Sequence, residues 1–134
     1  MTQHCRYVWE SLIRKCPAKS TALIAHSAGG MCTADLIERY TKEFFQRCEA
    51  LVFTDSGYHS VFSSPKISKE MVQRLQAIGI HFKAYRKDHM EVGEVFSSQS
   101  GAILEVSAGT TDHVLTTGVS TPAIKEFLTL KFKL

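Results

Sequence analysis

Short apolar runs alternate with stretches of helical periodicity along most of the chain, and this alternation constrains the fold more than any other feature. Runs of strand length cover residues 21–26, 50–54 and 102–107, and the first is apolar enough to predict a central strand covered on both faces. Residues 80–85 alternate apolar and polar side chains instead, which predicts a strand nearer an edge. Strands separated by helices favour right-handed crossovers, so we expect an α/β fold with a parallel sheet and helices on both faces.

The helices are predicted from apolar side chains that recur at helical spacing. They cover residues 3–16, 31–48 and 69–78, and a last segment begins at Thr121. Pro17 ends the first helix, and Thr41 is a candidate break in the second. Ser68 is suited to cap the third helix at its amino terminus, and Gly79 to end it in a left-handed conformation. Pro122 would occupy the first position of the last helix, where a missing N–H costs least.

The length and charge of the chain limit which classes of protein the sequence can encode. The 134 residues, 44% of them hydrophobic, predict one domain that spans residues 1–134. The net charge of +3 is small and dispersed, so direct nucleic-acid binding is not expected. No apolar run is long enough to cross a bilayer, and the residues after Met1 lack the pattern of a secretory signal. We therefore expect an intracellular protein without membrane contact.

The cysteines indicate neither a metal site nor a disulfide framework. They are Cys5, Cys16, Cys32 and Cys48. Their spacing matches neither a C-x-x-C redox pair nor a zinc site. We expect reduced thiols that pack as small hydrophobic side chains, with no metal and no cofactor.

The segment between the first strand and the second helix matches a nucleophile elbow, the sharp strand-to-helix turn that carries the serine of α/β-hydrolases. Residues 25–29 (AHSAG) fit the pattern G-x-S-x-G with Ala25 in place of the first glycine. Ser27 is then a candidate nucleophile, and the backbone N–H of Ala28 a candidate oxyanion donor. Two alternatives stay open: a tight turn in which Ser27 caps the helix, and an elbow that keeps its shape without catalysis.

The other members of a catalytic triad would follow in the order acid, then histidine. His113 comes after the last predicted strand and before the last helix, where the general base belongs, although a histidine without a role in a surface loop would look the same. Asp55 ends the strand after the elbow helix, and Asp88 follows the next strand. Both can serve as the acid; we rank Asp55 ahead because an apolar strand fixes its position better than an irregular charged loop fixes that of Asp88.

A complete α/β-hydrolase sheet has more strands than this sequence predicts, and the elbow normally follows several of them. Here one predicted helix precedes Ser27. The sequence therefore predicts a partial α/β-hydrolase-like fold that lacks its amino-terminal strands and the loop that donates the second oxyanion N–H. We expect the chain to be the carboxyl-terminal part of a longer domain, or to be completed by another chain.

Three segments together resemble the Argonaute-binding protein two (Arb2) domain family. They are residues 24–30 (IAHSAGG), residues 53–56 (FTDS) with His59 close behind, and residues 106–110 (VSAGT) with His113 and Thr116. The resemblance implies an α/β-hydrolase-like fold in which Ser27, Asp55 and His113 occupy the hydrolase-like positions, and His59 that of a strand-end histidine. The chain departs from the family in the longer spacing before His59 and in Ala28, where a bulkier residue is common.

The family resemblance and the motif imply two classes of function. Members of the family include a subunit of an Argonaute small-RNA chaperone complex, the carboxyl-terminal domain of some fungal histone deacetylases, and animal cotranscriptional regulators. The resemblance thus implies a hydrolase-like module with protein partners in silencing or chromatin complexes, in the nucleus or cytoplasm. The alternative is a serine hydrolase acting on an ester, thioester or amide, with Ser27, His113 and either Asp55 or Asp88.

Overall fold

Four parallel strands form one sheet in the computed structural model, which describes residues 1–85, 90–96 and 103–133. The strands are β1 (Thr21–His26), β2 (Cys48–Thr54), β3 (Gly79–Lys83) and β4 (Leu104–Ser107). The helices are α1 (Thr2–Val8), α2 (Gly29–Arg39), α3 (Thr41–Arg47), α4 (Lys69–Ile78) and α5 (Thr116–Phe132), with a π-helical turn at Trp9–Ile13 and 3-10 turns at His59–Ser63 and His113–Leu115. The strands lie side by side in chain order, all pairs parallel. The predicted α/β class is confirmed.

Helices cover both faces of the sheet. Successive side chains of β2 point to opposite faces, so the strand packs against helices on both sides. Leu51 and Phe53 are fully buried in one core, which also contains side chains of α2, α3 and α4. Val52, between them, belongs to a second core with Phe82 of β3 and Ile124 of α5. The apolar run in β2 is therefore buried on both faces, as expected for a central strand of a parallel sheet.

The predicted positions of two strands within the sheet are wrong. β1 lies at one edge of the four described strands, and Ala22 and Ile24 are exposed. β3 lies between β2 and β4, and its polar residue His81 is only 2% exposed. The alternating pattern of β3 indicated a solvated face, but a histidine can be buried when it has hydrogen-bond partners, and His81 has them.

The breaks and caps of the helices are partly as predicted. α2 ends before Thr41, where α3 begins, and the Oγ of Ser68 accepts a hydrogen bond from the backbone N–H of Met71 at 3.3 Å. Both features confirm the prediction. Gly79, however, has an extended conformation (φ −104°) and starts β3, so it is no left-handed cap. Glycine is needed there for space, because a Cβ would lie 2.7 Å from the carbonyl oxygen of Leu75.

The first and last helices differ from the prediction at particular residues. The last helix starts at Thr116 rather than Thr121, and Pro122 lies inside it, because the turn before it is already capped by the Asp112 side chain. In the first helix, Tyr7 and Leu12 are among the apolar residues whose helical spacing predicted the helix over residues 3–16, yet they are 66% and 61% exposed. Trp9 is buried instead. A π-helical turn, with Arg14 N–H bonded to the carbonyl of Trp9, changes the periodicity on which that prediction depended.

The four cysteines are unpaired thiols of different exposure. Cys32 and Cys48 are buried, Cys5 is half-buried, and Cys16 is exposed, which contradicts a packing role for Cys16. Burial raises the pKa of the Cys48 thiol to about 12. Within the described residues, no helix is long and apolar enough to span a bilayer.

Candidate active site

Ser27 is held in an unusual backbone conformation at the carboxyl end of β1. Its φ is +52°, a left-handed value that few non-glycine residues adopt. The N–H of Ser27 donates to the carbonyl of Thr54 at 3.2 Å and so extends the pairing of β1 with β2. Ala28 is the N-cap of α2. The chain therefore turns sharply from strand into helix at Ser27, and strain of this kind is concentrated at functional sites.

The side chains of Ser27, His113 and Asp55 form a hydrogen-bonded chain. The Nε2 of His113 lies 2.9 Å from the Oγ of Ser27, and the Nδ1 of His113 lies 2.6 Å from Oδ2 of Asp55. The side chains of His113 and Asp55 are 41% and 19% exposed, so the site is open to solvent from the histidine side. We call these three residues the triad. The other candidate acid, Asp88, lies outside the described residues.

Each member of the triad follows the carboxyl end of a strand. Ser27 follows β1, and Asp55 follows β2 in another left-handed conformation (φ +42°). The N–H of Asp55 donates to the carbonyl of Phe82 in β3 at 2.7 Å, which fixes the acid against the next strand. His113 begins the 3-10 turn that leads from the β4 side of the sheet into α5. Parallel strands bring residues that are 86 positions apart to one edge of the sheet.

This arrangement has the chemistry of a nucleophile, a base and an orienting acid. If the Nδ1–H of His113 donates to Asp55, its Nε2 has a free lone pair that can accept the hydroxyl proton of Ser27. The order of the groups along the chain, serine, acid, then histidine, is also that of α/β-hydrolases. The backbone N–H of Ala28 is in the first turn of α2, where amide groups lack partners within the helix.

His26 is a neighbour of the triad that the sequence did not single out. Its ring lies 4.8 Å from the ring of His113, and its Nδ1–H donates to the carbonyl of Thr54 at 3.0 Å. The hydroxyl of Thr116 donates to the carbonyl of His113 at 2.9 Å and also lies 3.4 Å from Nδ1 of His26, so it contacts both histidines. In the sequence, this contact is indicated only by the position of His26 directly before Ser27. That indication is weak, because successive residues of a strand point to opposite faces.

The tightest packing at the elbow is at Gly30, a position that the motif does not include. A Cβ on Gly29 would make an ordinary contact, 3.5 Å from the Cβ of Ala25. A Cβ on Gly30 would lie 2.5 Å from the carbonyl oxygen of Gly57 and closer still to the hydroxyl of Ser56. That hydroxyl donates to the carbonyl of Ser27 at 2.6 Å. Gly30 therefore lets the loop after β2 pack against the elbow.

His59, which the family resemblance assigns to the position of a strand-end histidine, is exposed and stacks on Tyr58 with 4.6 Å between the ring centroids. Tyr58 itself is buried on Phe53, with their centroids 4.0 Å apart. Within the described residues, the His59 ring therefore packs against Tyr58 rather than against a residue of the triad.

A buried polar pair lies behind the loop that carries Asp55. The Nε2 of His81 accepts the backbone N–H of Ser56 at 3.1 Å, and its Nδ1 lies 3.3 Å from Oε1 of Glu105. The other oxygen of Glu105 lies 3.3 Å from the Nζ of Lys83. Burial lowers the pKa of His81 to about 4 and outweighs the opposing attraction of Glu105. His81 is thus a neutral ring that donates through Nδ1 and accepts through Nε2.

Within the described residues, no group of three side chains is arranged to hold a metal ion. The fold and the triad define an α/β domain with a serine–histidine–aspartate arrangement at the carboxyl edge of a parallel sheet. The chain belongs to the Arb2 domain family, whose model matches residues 1–85. This finding confirms the resemblance read from the sequence, and the matched region contains Ser27 and Asp55.

Individual relatives agree with that membership. The chain is 40% identical over 65 residues to "Cotranscriptional regulator ARB2A homolog" of Dictyostelium discoideum, covering 48% of this chain and 16% of the relative. It is 26% identical over 135 residues to human "Cotranscriptional regulator ARB2A", covering 95% of this chain and 29% of the relative. The chain thus spans less than a third of the length of these relatives. No solved structure matches it.

Proposed function

We propose that this chain is part of a regulatory protein that acts in complexes linked to transcription, and that Ser27, His113 and Asp55 give it a serine hydrolase site. The regulatory role is suggested by relatives named as cotranscriptional regulators, one of which aligns with 95% of this chain. Because the chain corresponds to 29% of that relative, the role belongs to the longer protein. A nuclear or cytoplasmic location and a part in small-RNA silencing belong to the same proposal.

Affinity capture tests the regulatory role. The tagged protein is captured from nuclear and cytoplasmic extracts, and the recovered proteins are identified by mass spectrometry. We expect components of chromatin, RNA-processing or small-RNA silencing complexes to be enriched. Capture with Ser27→Ala, run in parallel, should recover the same components if assembly does not need hydrolysis. Enrichment of none of these classes would contradict the regulatory role.

The hydrolase proposal rests on one observation: His113 is within hydrogen-bond distance of both Ser27 and Asp55. In the proposed reaction, the Oγ of Ser27 attacks the carbonyl carbon of an ester, thioester or amide while Nε2 of His113 takes the hydroxyl proton. Asp55 keeps the ring oriented and stabilises its protonated form. His113 then gives this proton to the leaving group, and a water activated by the same nitrogen hydrolyses the acyl-serine.

The developing oxyanion needs donors as well. The N–H of Ala28 is the proposed first donor, since it lies next to Ser27 at the start of α2. We propose that the second comes from residues outside this chain, in a longer α/β-hydrolase-like domain of which residues 1–134 form the carboxyl-terminal part. The open edge of β1, which carries Ser27 at its end, is the side where such strands would add.

Labelling with a fluorophosphonate probe tests the hydrolase site, on this chain and on an amino-terminally extended form. We expect stoichiometric labelling that disappears in Ser27→Ala and slows at least about 100-fold in His113→Gln, because general-base catalysis contributes that much or more. His59→Gln is the matched control, because His59 is exposed and stacks on Tyr58. Labelling that persists in Ser27→Ala, or no labelling of the folded extended form, would rule out the hydrolase site.

A further inference from the structure

Ser56 connects three parts of the candidate active site. It follows Asp55 directly, its hydroxyl donates to the carbonyl of Ser27, and it fills the space that Gly30 leaves open. Ser56 is only 6% exposed. Any displacement of Ser56 would therefore be transmitted to the acid on one side and to the elbow on the other.

The position of Ser56 is in turn fixed by His81. The hydrogen bond from the Ser56 N–H to Nε2 of His81 is 3.1 Å long and buried. A buried backbone N–H without a partner destabilises the folded state, so this bond holds the loop in place. The ring is held at the other nitrogen by Glu105, which is 7% exposed and belongs to β4.

We propose that His81, oriented by Glu105, is a positioning residue that sets the geometry of the Ser27 elbow through Ser56. The inference deepens the hydrolase site proposed above and rests on it for its effect on reactivity. His81 touches none of the reacting atoms; its action passes through one backbone N–H and one hydroxyl. This positioning role gives a reason for a histidine and a carboxylate in the interior of the sheet, where apolar side chains would pack without the free-energy cost of burying polar groups.

The surroundings of His81 support an acceptor role for its ring. Glu105 faces it from β4, Lys83 lies further along β3, and Asp55 is in the loop after β2. The Tyr58 ring packs edge-on against it at 5.1 Å between centroids. The low pKa of His81 means that Nε2 keeps its lone pair at neutral pH, and only a neutral ring can accept the Ser56 N–H.

A matched set of variants separates positioning from general stability. His81→Phe keeps a ring but removes the acceptor, whereas His81→Gln retains an amide oxygen that can accept from Ser56. Val106→Ala is the control, because Val106 of β4 is as buried as His81 but belongs to the opposite core. We expect His81→Phe to slow fluorophosphonate labelling of Ser27 about tenfold or more, His81→Gln to restore part of the rate, and Val106→Ala to label at the wild-type rate when the same fraction is folded.

A double-mutant cycle tests the route through Ser56. Ser56→Ala removes the hydroxyl that reaches Ser27 and should also slow labelling. If His81 acts through Ser56, the double variant His81→Phe/Ser56→Ala should be little slower than the slower single variant, since residues in one network are not additive. Independent, multiplying effects would overturn the inference, as would a His81→Phe variant that labels as fast as Val106→Ala.

Amide hydrogen exchange distinguishes this inference from the hydrolase proposal. If the folded, amino-terminally extended form does not label, the hydrolase site is rejected, but the positional link is still measured by exchange at the Ser56 and Gly30 amides. We expect His81→Phe to speed exchange at both amides relative to Val106→Ala. Equal exchange in the two variants would overturn the role of His81 whatever the labelling result.

Discussion

At the scale of single residues, the candidate site depends on contacts that a motif does not contain. The sequence singled out Ser27, Asp55 and His113, and the structure brings their side chains within hydrogen-bond distance, although their catalytic roles stay predictions. It did not single out His26 or His81, because their partners are remote in sequence. A sequence motif defines only the spacing of residues along the chain, whereas these contacts depend on which strands become neighbours in the sheet.

The packing of the loop after β2 against the elbow gives a prediction for Gly30→Ala. The added Cβ would overlap Ser56 and the backbone of Gly57, so we expect a loss of about 1–3 kcal/mol in the free energy of unfolding, as for other overpacked sites. Urea denaturation measures it. Gly57→Ala is the control: a Cβ there meets nothing within 4 Å, and we expect a change below about 0.5 kcal/mol. Equal effects of the two substitutions would contradict this packing.

The buried ring of His81 gives a prediction for the dependence of stability on pH. Burial lowers its pKa to about 4 in the folded protein, from the ordinary histidine value of 6.5. Between these values the unfolded chain binds a proton that the folded protein does not, so the free energy of unfolding falls as pH decreases, by up to about 1.4 kcal/mol per pH unit from this group. Denaturation of wild type and His81→Gln from pH 7 to pH 4.5 should show a steeper decline in the wild type. Parallel curves would exclude this contribution.

At the scale of elements, the sequence predicted which segments form strands and helices better than where they end or how exposed they are. The break at Thr41 and the cap at Ser68 were predictable because both are local features. The start of α5 was not, because Pro122 suits a first turn but is also tolerated inside this helix. Gly79 is a second example. The sequence indicated that the helix ends at this glycine, but the reason for a glycine here is the proximity of Leu75 and Ile103, which leaves no space for a Cβ.

α5 offers a stabilising substitution. Gly118 lies inside the helix, is exposed, and has open space where a Cβ would be. Gly118→Ala should therefore raise the free energy of unfolding by about 0.4–1 kcal/mol, since glycine loses more backbone entropy on folding. Gly109→Ala is expected to have the opposite sign, because Gly109 has a φ of +71° and a Cβ there would overlap Val92. Thermal unfolding of both variants checks the contrast.

At the scale of the whole molecule, the parallel sheet explains how the site is assembled. Carboxyl ends of neighbouring parallel strands meet at one edge, so Ser27 after β1 and Asp55 after β2 are adjacent without any special device. That much follows from the order of elements. The order of strands across the sheet cannot be predicted from hydropathy. The apolar sequence of β1 predicts a buried strand, yet β1 lies at an edge; the alternating sequence of β3 predicts a half-exposed strand, yet β3 lies between two others.

The two cores on opposite faces of the sheet should unfold together, because β2 contributes side chains to both. Trp9, the one tryptophan of the chain, lies in the core opposite to α5 and stacks on Phe44 at 5.7 Å, so its fluorescence reports that core alone. Ile124→Ala removes a buried side chain of the other core and should cost about 2–5 kcal/mol. We expect the urea midpoint of Trp9 fluorescence to fall by the same amount as that of far-ultraviolet circular dichroism.

Ile37→Ala, in the core of Trp9 itself, is the control for this experiment, since it must shift both signals whether or not the cores are coupled. If Ile124→Ala lowers the dichroism midpoint and leaves the fluorescence midpoint unchanged, the cores unfold separately. Coincident midpoints mean that α5 and the helices of the opposite face stabilise one another through the sheet. His113, at the start of α5, would then be held against Ser27 and Asp55 by the stability of the whole molecule rather than by that of a single loop.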